Sequence, residues 1–228
     1  MIEELVGNPL YEQWLQCGLV RAPWGMGWEH PYLSGGDALL TRSPSASMVE
    51  SFVNTHQLRA ELCDRYAWAV PSPEALQFLA GRFPWIVEIG AGRGYWGRLL
   101  NNLGVDFRAY DAAVRWKDNT VHKNHWHHAT GSHTFFPVSR ADHNVTGAWK
   151  NRALMLCWPP YNDPMAYEAL LAYRGSSLIY IGEGSGGCTA DDQFHGMLED
   201  VWDEVEHLEL PAWPGIRDSL MVYRRKGT

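Results

Sequence analysis

Short apolar runs alternating with amphipathic stretches organise the chain from residue 85 onward. WIVEIGA (85–91) has the length and apolar density of a buried strand, interrupted by one acid, Glu88. Trp96, Leu99, Leu100 and Leu103 then recur at helical spacing until Gly104, a residue type that ends helices. DFRAYDA (106–112), ALMLCW (153–158) and SSLIYIGEG (176–184) repeat the strand signature. Helical patterns over Met165 to Tyr173 and over Thr189 to about Glu204 follow the last two. Two final strand-like runs, VEHLELPAW and SLMVYRR, are separated by Pro214 and Gly215. Strands and helices in alternation predict an α/β fold: a doubly wound, mostly parallel seven-stranded sheet ending in an antiparallel hairpin.

The first 82 residues read differently, as an N-terminal helical extension to a core over 83–228. Leu10, Trp14 and Leu15 fall at helical spacing, as do Val49, Phe52, Val53 and Leu58. Between them RAPWGMGWEHPYLSGGD is a loop by its Gly and Pro content. SPEALQFLAGRF supplies Ser72 as N-cap, Pro73 at the first helical position and Gly81 near the end.

With 228 residues, 46% hydrophobic and 20% charged, the chain is long enough for one full core. Its net charge of −7 argues against a surface built to hold long DNA or RNA and favours a small or peptide-like partner. No apolar run approaches the roughly 20 residues that span a bilayer, and Met1 to Leu5 lack a basic region followed by an apolar one. A cytoplasmic, membrane-free protein is the expectation. Cys17, Cys63, Cys157 and Cys188 form no C-x-x-C pair, so neither a disulfide framework nor a zinc knuckle is indicated. Twelve tryptophans point to aromatic walls as well as core packing.

Chemistry concentrates in the turns that follow the strands. In EIGAGRG, Glu88, Gly90, Gly92 and Gly94 join a strand to a helix, where glycines let the backbone turn sharply and approach a ligand. A dinucleotide loop, G-x-G-x-x-G, would need glycine at position 95, which is Tyr95. The acidic-x-G-x-G-x-G spacing resembles that of class I S-adenosylmethionine-dependent methyltransferases. Asp111, closing the next strand, is placed to accept the ribose hydroxyls of an adenosine. The resemblance runs over residues 85–225 and implies S-adenosylmethionine as cofactor. By the same analogy Asp142, in FFPVSRAD, is the candidate contact for the adenine amino group.

CWPPYND (157–163) resembles the D/N/S-P-P-Y/F corner of amino-group methylases, in which the first side chain and a proline-region carbonyl hold the target nitrogen. Pro159, Pro160 and Tyr161 match; Trp158 does not, having an indole donor and no side-chain acceptor. A nucleobase amine therefore loses one expected partner; the backbone carbonyls of Trp158 and Pro159 remain available, and Asn162, Asp163 or Glu183 could supply an acceptor. Glu183 ends a strand in IGEGSGG, where ligands bind in open α/β sheets, and a loop-bracing carboxylate is the plain alternative. Pro159, Tyr161 and Glu183 are the catalytic candidates. Tyr66 and Trp68 are candidates either for a lid over the cofactor or for packing a helix on the sheet.

HKNHWHHATGSH (122–133) holds five of the ten histidines, and His143 follows. It contains no H-E-x-x-H and no clear acidic third ligand, so no metal is assigned to it. Taken together, YAWAVPSPEAL, EIGAGRGYWGRLL, RAYDA, LCWPPYNDPMA and YIGEGSGG resemble a bacterial and fungal group of methyltransferase-like proteins. The leading expectation is methyl transfer to nitrogen or oxygen of a small or peptide-like acceptor. A cofactor-binding interaction protein without turnover, and a nucleic-acid amino methylase, stay open.

Overall fold

The computed structural model describes residues 7–21, 28–29, 46–112 and 134–227. Helix α1 (Pro9–Gln16), strands β1 (Val20–Arg21) and β2 (Trp28–Glu29), and helices α2 (Ala46–Arg65) and α3 (Pro73–Arg82) come first. They are followed by β3 (Trp85–Ile89), α4 (Tyr95–Asn102), β4 (Asp106–Asp111), β5 (Val138–Arg140) and a 3-10 turn (His143–Ala148). Then come β6 (Ala153–Cys157), α5 (Met165–Ala172), β7 (Ser177–Gly182), α6 (Asp192–Val201), β8 (Trp202–Glu209) and β9 (Ser219–Arg225).

Local chemistry starts the helices. Ser72 accepts the Ala75 N–H at 3.1 Å with Pro73 behind it, and Asp191 accepts the Phe194 N–H at 2.9 Å, each meeting one of the donors a helix start leaves open. The last helix is shorter than its periodicity predicts. Trp202 leaves it for β8, where it pairs with Arg225 of β9 and lies under that guanidinium at 4.4 Å. The sheet edge outbids helical spacing there. Where Gly and Pro content predicts a loop from Arg21 onward, Val20–Arg21 and Trp28–Glu29 form a small antiparallel pair.

The seven-stranded sheet has the order β5-β4-β3-β6-β7-β9-β8. Its first five strands are parallel, and β9 enters antiparallel between β7 and β8. Both faces are covered at its centre, which is why β3, β6 and β7 read as nearly continuous apolar runs, whereas β4 alternates. Alternate residues divide between two apolar clusters. Ile86, Met155, Ile179 and Val222 join α3 and α4 on one face, and Val87, Leu154, Tyr180 and Met221 join α5 and α6 on the other.

The first cluster also takes in Leu10, Trp14, Leu62 and Tyr66 from the N-terminal segment. Polar contacts reinforce this junction. The Trp14 indole donates to the Ala212 carbonyl at 3.1 Å, and the Tyr95 hydroxyl accepts the Leu10 N–H at 3.1 Å while donating to Asn8 Oδ1 at 2.9 Å. Among the described residues no helix is long and apolar enough to cross a membrane.

Candidate functional site

Chain order reverses at β3, which has β4 on one side and β6 on the other. The loops leaving the carboxyl ends of such a pair diverge and open a crevice. Here they line a cavity of about 460 Å³.

The loop after β3 forms one end. Gly90, Gly92 and Gly94 all have positive φ, at 77°, 55° and 71°. At Gly94 a Cβ would come within 2.8 Å of Phe136 Cβ and 3.1 Å of Val138 Cγ2, so the helix can begin there only with glycine. At Gly92 a Cβ would meet nothing within 4 Å, because that side of the backbone faces open space. The Gly92 N–H donates to Asp111 Oδ2 at 2.8 Å, so the acid that closes β4 also holds the loop in shape. Asp111 and Glu88 are each only 2% exposed, and both line the cavity. Glu88 Oε2 is buried with no hydrogen-bond partner. Burial, and then the charge of Asp111, push the Glu88 carboxyl up to about 8, so it is protonated at neutral pH.

The corner after β6 forms the other end. The Trp158 N–H donates to the Ile181 carbonyl at 2.7 Å, extending the β6–β7 ladder by one bond before the two prolines end it. Trp158 has φ +51°, a left-handed conformation that a bulky residue before proline adopts only under constraint. Two contacts supply the constraint. Its indole donates to Asp218 Oδ1 at 2.7 Å, and its ring stacks on Trp68 with centroids 5.1 Å apart. Pro159 is buried, its carbonyl accepting the Ala190 N–H at 3.0 Å. Pro160 and Tyr161 line the cavity, with Tyr161 52% exposed at its edge.

Glu183 does not line the cavity. Its Oε1 accepts the Arg217 N–H and its Oε2 the Cys188 N–H, both at 2.8 Å, tying the loop after β7 to the segment before β9. Asp142 is exposed and caps the 3-10 turn, accepting the Asn144 N–H at 3.0 Å; that bond holds its carboxyl below the ordinary range. It too is absent from the cavity wall. Asn162 and Asp163 serve the turn itself, through the Asn162 N–H to Ala190 and the Met165 N–H to Asp163. Tyr66 and Trp68 both line the cavity, and Tyr66 is also part of the core. The stretch 122–133 lies outside the described residues, and His143 contacts Glu168 at 3.0 Å. Among the described residues no group of three metal-ligating side chains comes together.

The strand order, with its terminal hairpin, is that of a doubly wound, mostly parallel seven-stranded α/β sheet. No family model matches the chain, and no curated protein does. Solved structures similar to it include magnesium protoporphyrin IX methyltransferase from Synechocystis PCC 6803 with bound S-adenosylmethionine, at 10% identity and TM-score 0.46 over 83% of this chain and 89% of that one. An O-methyltransferase from Bacillus cereus in complex with S-adenosylhomocysteine is similar at 15% identity and TM-score 0.44, covering 81% and 94%. A methyltransferase from Anabaena variabilis ATCC 29413 is similar at 10% identity and TM-score 0.41, covering 76% and 94%.

Several cavity residues carried no sequence signal. Cys63, Cys157 and Cys188 come from three separate elements to one wall, and burial pushes the Cys63 and Cys188 thiols up to about 12. Asp218, 3% exposed, sits behind Trp158 with its Oδ2 unpartnered, and burial pushes its carboxyl up to about 8. Arg59 reaches the same wall from α2. A lone Asp before a strand and a lone Arg on a helix look like any surface charge until the fold brings them together.

Proposed function

We propose that the chain is an S-adenosylmethionine-dependent methyltransferase acting on nitrogen or oxygen of a small or peptide-like acceptor. The observation that carries this reading is the joining, in one cavity, of an open glycine cradle at Gly92, the buried Asp111 that braces it and the unpartnered Glu88 oxygen. These features fit an adenosine-bearing cofactor. Asp111 would hold the ribose hydroxyls, the glycine loop would let its backbone approach closely, and Glu88, neutral at pH 7, would offer a hydrogen-bond donor without a buried charge. When bound, S-adenosylmethionine supplies a methyl group on a sulfonium, a leaving group needing no further activation. What remains for the chain is to position the acceptor and exclude water.

Pro160 and Tyr161 form the acceptor wall in this reading, Pro159 shapes the corner, and Glu183 braces the loops rather than touching substrate. Asp142, as a cap outside the cavity, has no assigned contact with adenine. The Trp-Pro-Pro-Tyr corner replaces the polar first residue of amino-group methylases with an indole already bonded to Asp218. That, with the net charge of −7, disfavours a nucleobase amine.

Calorimetric titration tests the cofactor. S-adenosylhomocysteine should bind and NAD should not; NAD binding without any response to the methyl donor would overturn the reading. Hydrogen bonds to a charged group contribute about 1.5–3 kcal/mol, so Asp111→Ala should weaken binding at least about tenfold. Incubation with methyl-labelled cofactor and cell extract then separates turnover from binding alone. A folded, cofactor-binding protein that labels nothing would favour an interaction protein without turnover.

A further inference from the structure

Arg59 is a cation in the wall of an aromatic cavity with no carboxylate at ion-pair distance among the described residues. Its guanidinium carbon lies 5.6 Å from the Trp68 ring centroid and 5.9 Å from that of Trp158, and those two rings stack within 17° of parallel. Three other described arginines have carboxylates at hand: Arg82 with Glu206, Arg108 with Asp106, Arg152 with Asp106. Among the described residues none stands within ion-pair distance of Arg59, and its Nε is buried without a hydrogen-bond partner.

Acids near it are otherwise engaged. Asp218 is buried and bonded through Oδ1 to the Trp158 indole; its Oδ2 has no hydrogen-bond partner, and the Arg59 charge acts on it from beyond ion-pair distance. Glu88 and Asp111 belong to the glycine-loop end, and Asp64, also on the wall, has contacts of its own. The guanidinium lies within cation–π distance of two indoles, and with no carboxylate at ion-pair distance its N–H fork is left to be satisfied by something that enters the cavity. A planar fork of donors matches a carboxylate, two N–H groups to two oxygens. An unpaired, partly buried charge is costly until such a partner arrives.

The surroundings of this fork are apolar and aromatic: Trp68, Trp158, Pro160, Tyr161 and Ile216. Of the residues around Arg59, Trp158 and Cys188 follow β6 and β7 and Asp218 precedes β9, whereas the glycine loop contributes no ring or charge contact to it. We propose that Arg59, Trp68 and Trp158 form an acceptor subsite for an aromatic carboxylic acid, with the carboxylate on the guanidinium and the ring against the indole and Tyr161 wall. Calling the ligand an acceptor rests on the methyltransferase reading; the subsite itself does not.

The test is calorimetry on the full chain with matched acids and amides, benzoate against benzamide and indole-3-acetate against indole-3-acetamide. S-adenosylhomocysteine is compared in parallel with 5′-methylthioadenosine, which lacks the amino-acid carboxylate. At least one acid should bind wild type tenfold or more tightly than its amide. Arg59→Met should abolish that preference and Arg59→Lys, which keeps the charge but loses the fork, should reduce it. The preference for S-adenosylhomocysteine over methylthioadenosine should survive both substitutions.

Acids and amides binding alike, no acid binding at millimolar concentration, or a preference that persists in both variants would overturn the subsite. Loss of the S-adenosylhomocysteine preference in the Arg59 variants would also overturn the acceptor assignment, since it gives the guanidinium to the methyl donor. Absence of S-adenosylhomocysteine binding alongside an Arg59-dependent acid preference would sink the cofactor reading and leave the subsite standing.

Discussion

Tyr161 and Trp158 stand three residues apart and behave oppositely. Tyr161 is half exposed at the cavity edge, and among the described residues its hydroxyl has no hydrogen-bond partner, so a change there costs little stability. Trp158 is held at its backbone, its indole N–H and its ring face. Tyr161→Ala should therefore lower turnover about tenfold or more while leaving S-adenosylhomocysteine affinity and melting temperature close to wild type. Tyr161→Phe should retain most activity if the ring is a wall, and should match the Ala variant if the hydroxyl orients the acceptor. Wild-type turnover in Tyr161→Ala would place the acceptor elsewhere on the sheet's carboxyl edge.

At the level of elements, the turn from β3 to α4 separates two tasks that its glycines look equally suited for. Gly94 is constrained by packing, because a Cβ meets Phe136 and Val138; Gly92 is constrained by φ alone and faces open space. A left-handed L-residue costs about 1–2 kcal/mol, and forcing a side chain into a filled space adds about 1–3 kcal/mol. Gly94→Ala should thus lower the melting temperature by roughly 5–15 °C. Gly92→Ala should lower it much less and weaken cofactor binding more. Equal melting losses for the two would show that the turn is limited by backbone conformation rather than by contact with the segment before β5.

For the whole molecule, two buried acids set the pH response. Glu88 and Asp218 are both pushed up to about 8 by burial, so the folded chain keeps protons that the unfolded chain releases near pH 4. Stability from this source is fully present below the unfolded value and is lost as pH rises through the folded one. Asp106, held below the ordinary range first by its hydrogen bond from Arg152, acts with the opposite sign and only under acid conditions. Melting temperature should fall as pH rises from about 5 to about 8, and Glu88→Gln with Asp218→Asn should flatten that slope. An unchanged slope in a folded double variant would mean that other groups carry the titration.

Elements whose signal is local could be read from the chain directly. Ser72 and Pro73 cap a helix wherever they occur before an apolar period, and both-face burial makes a parallel strand a continuous apolar run, so β3, β6 and β7 were legible, and β4 by its alternation. The Gly90-Gly92-Gly94 spacing was legible for the same reason, since tolerance of positive φ is a property of glycine itself. Asp111 was legible as a strand-end acid, but its bond to the Gly92 N–H was not, because that contact crosses from β4 to the loop after β3. Only the tertiary structure decided where the remaining polar groups face. It turned Glu183 to two backbone N–H donors, placed Asp142 at a cap, set Asp218 behind Trp158 and carried Arg59 from α2 to the far wall. The position of a charged side chain depends on which strands become neighbours, and the pairing of β9 with β7 is a long-range choice that no local pattern encodes.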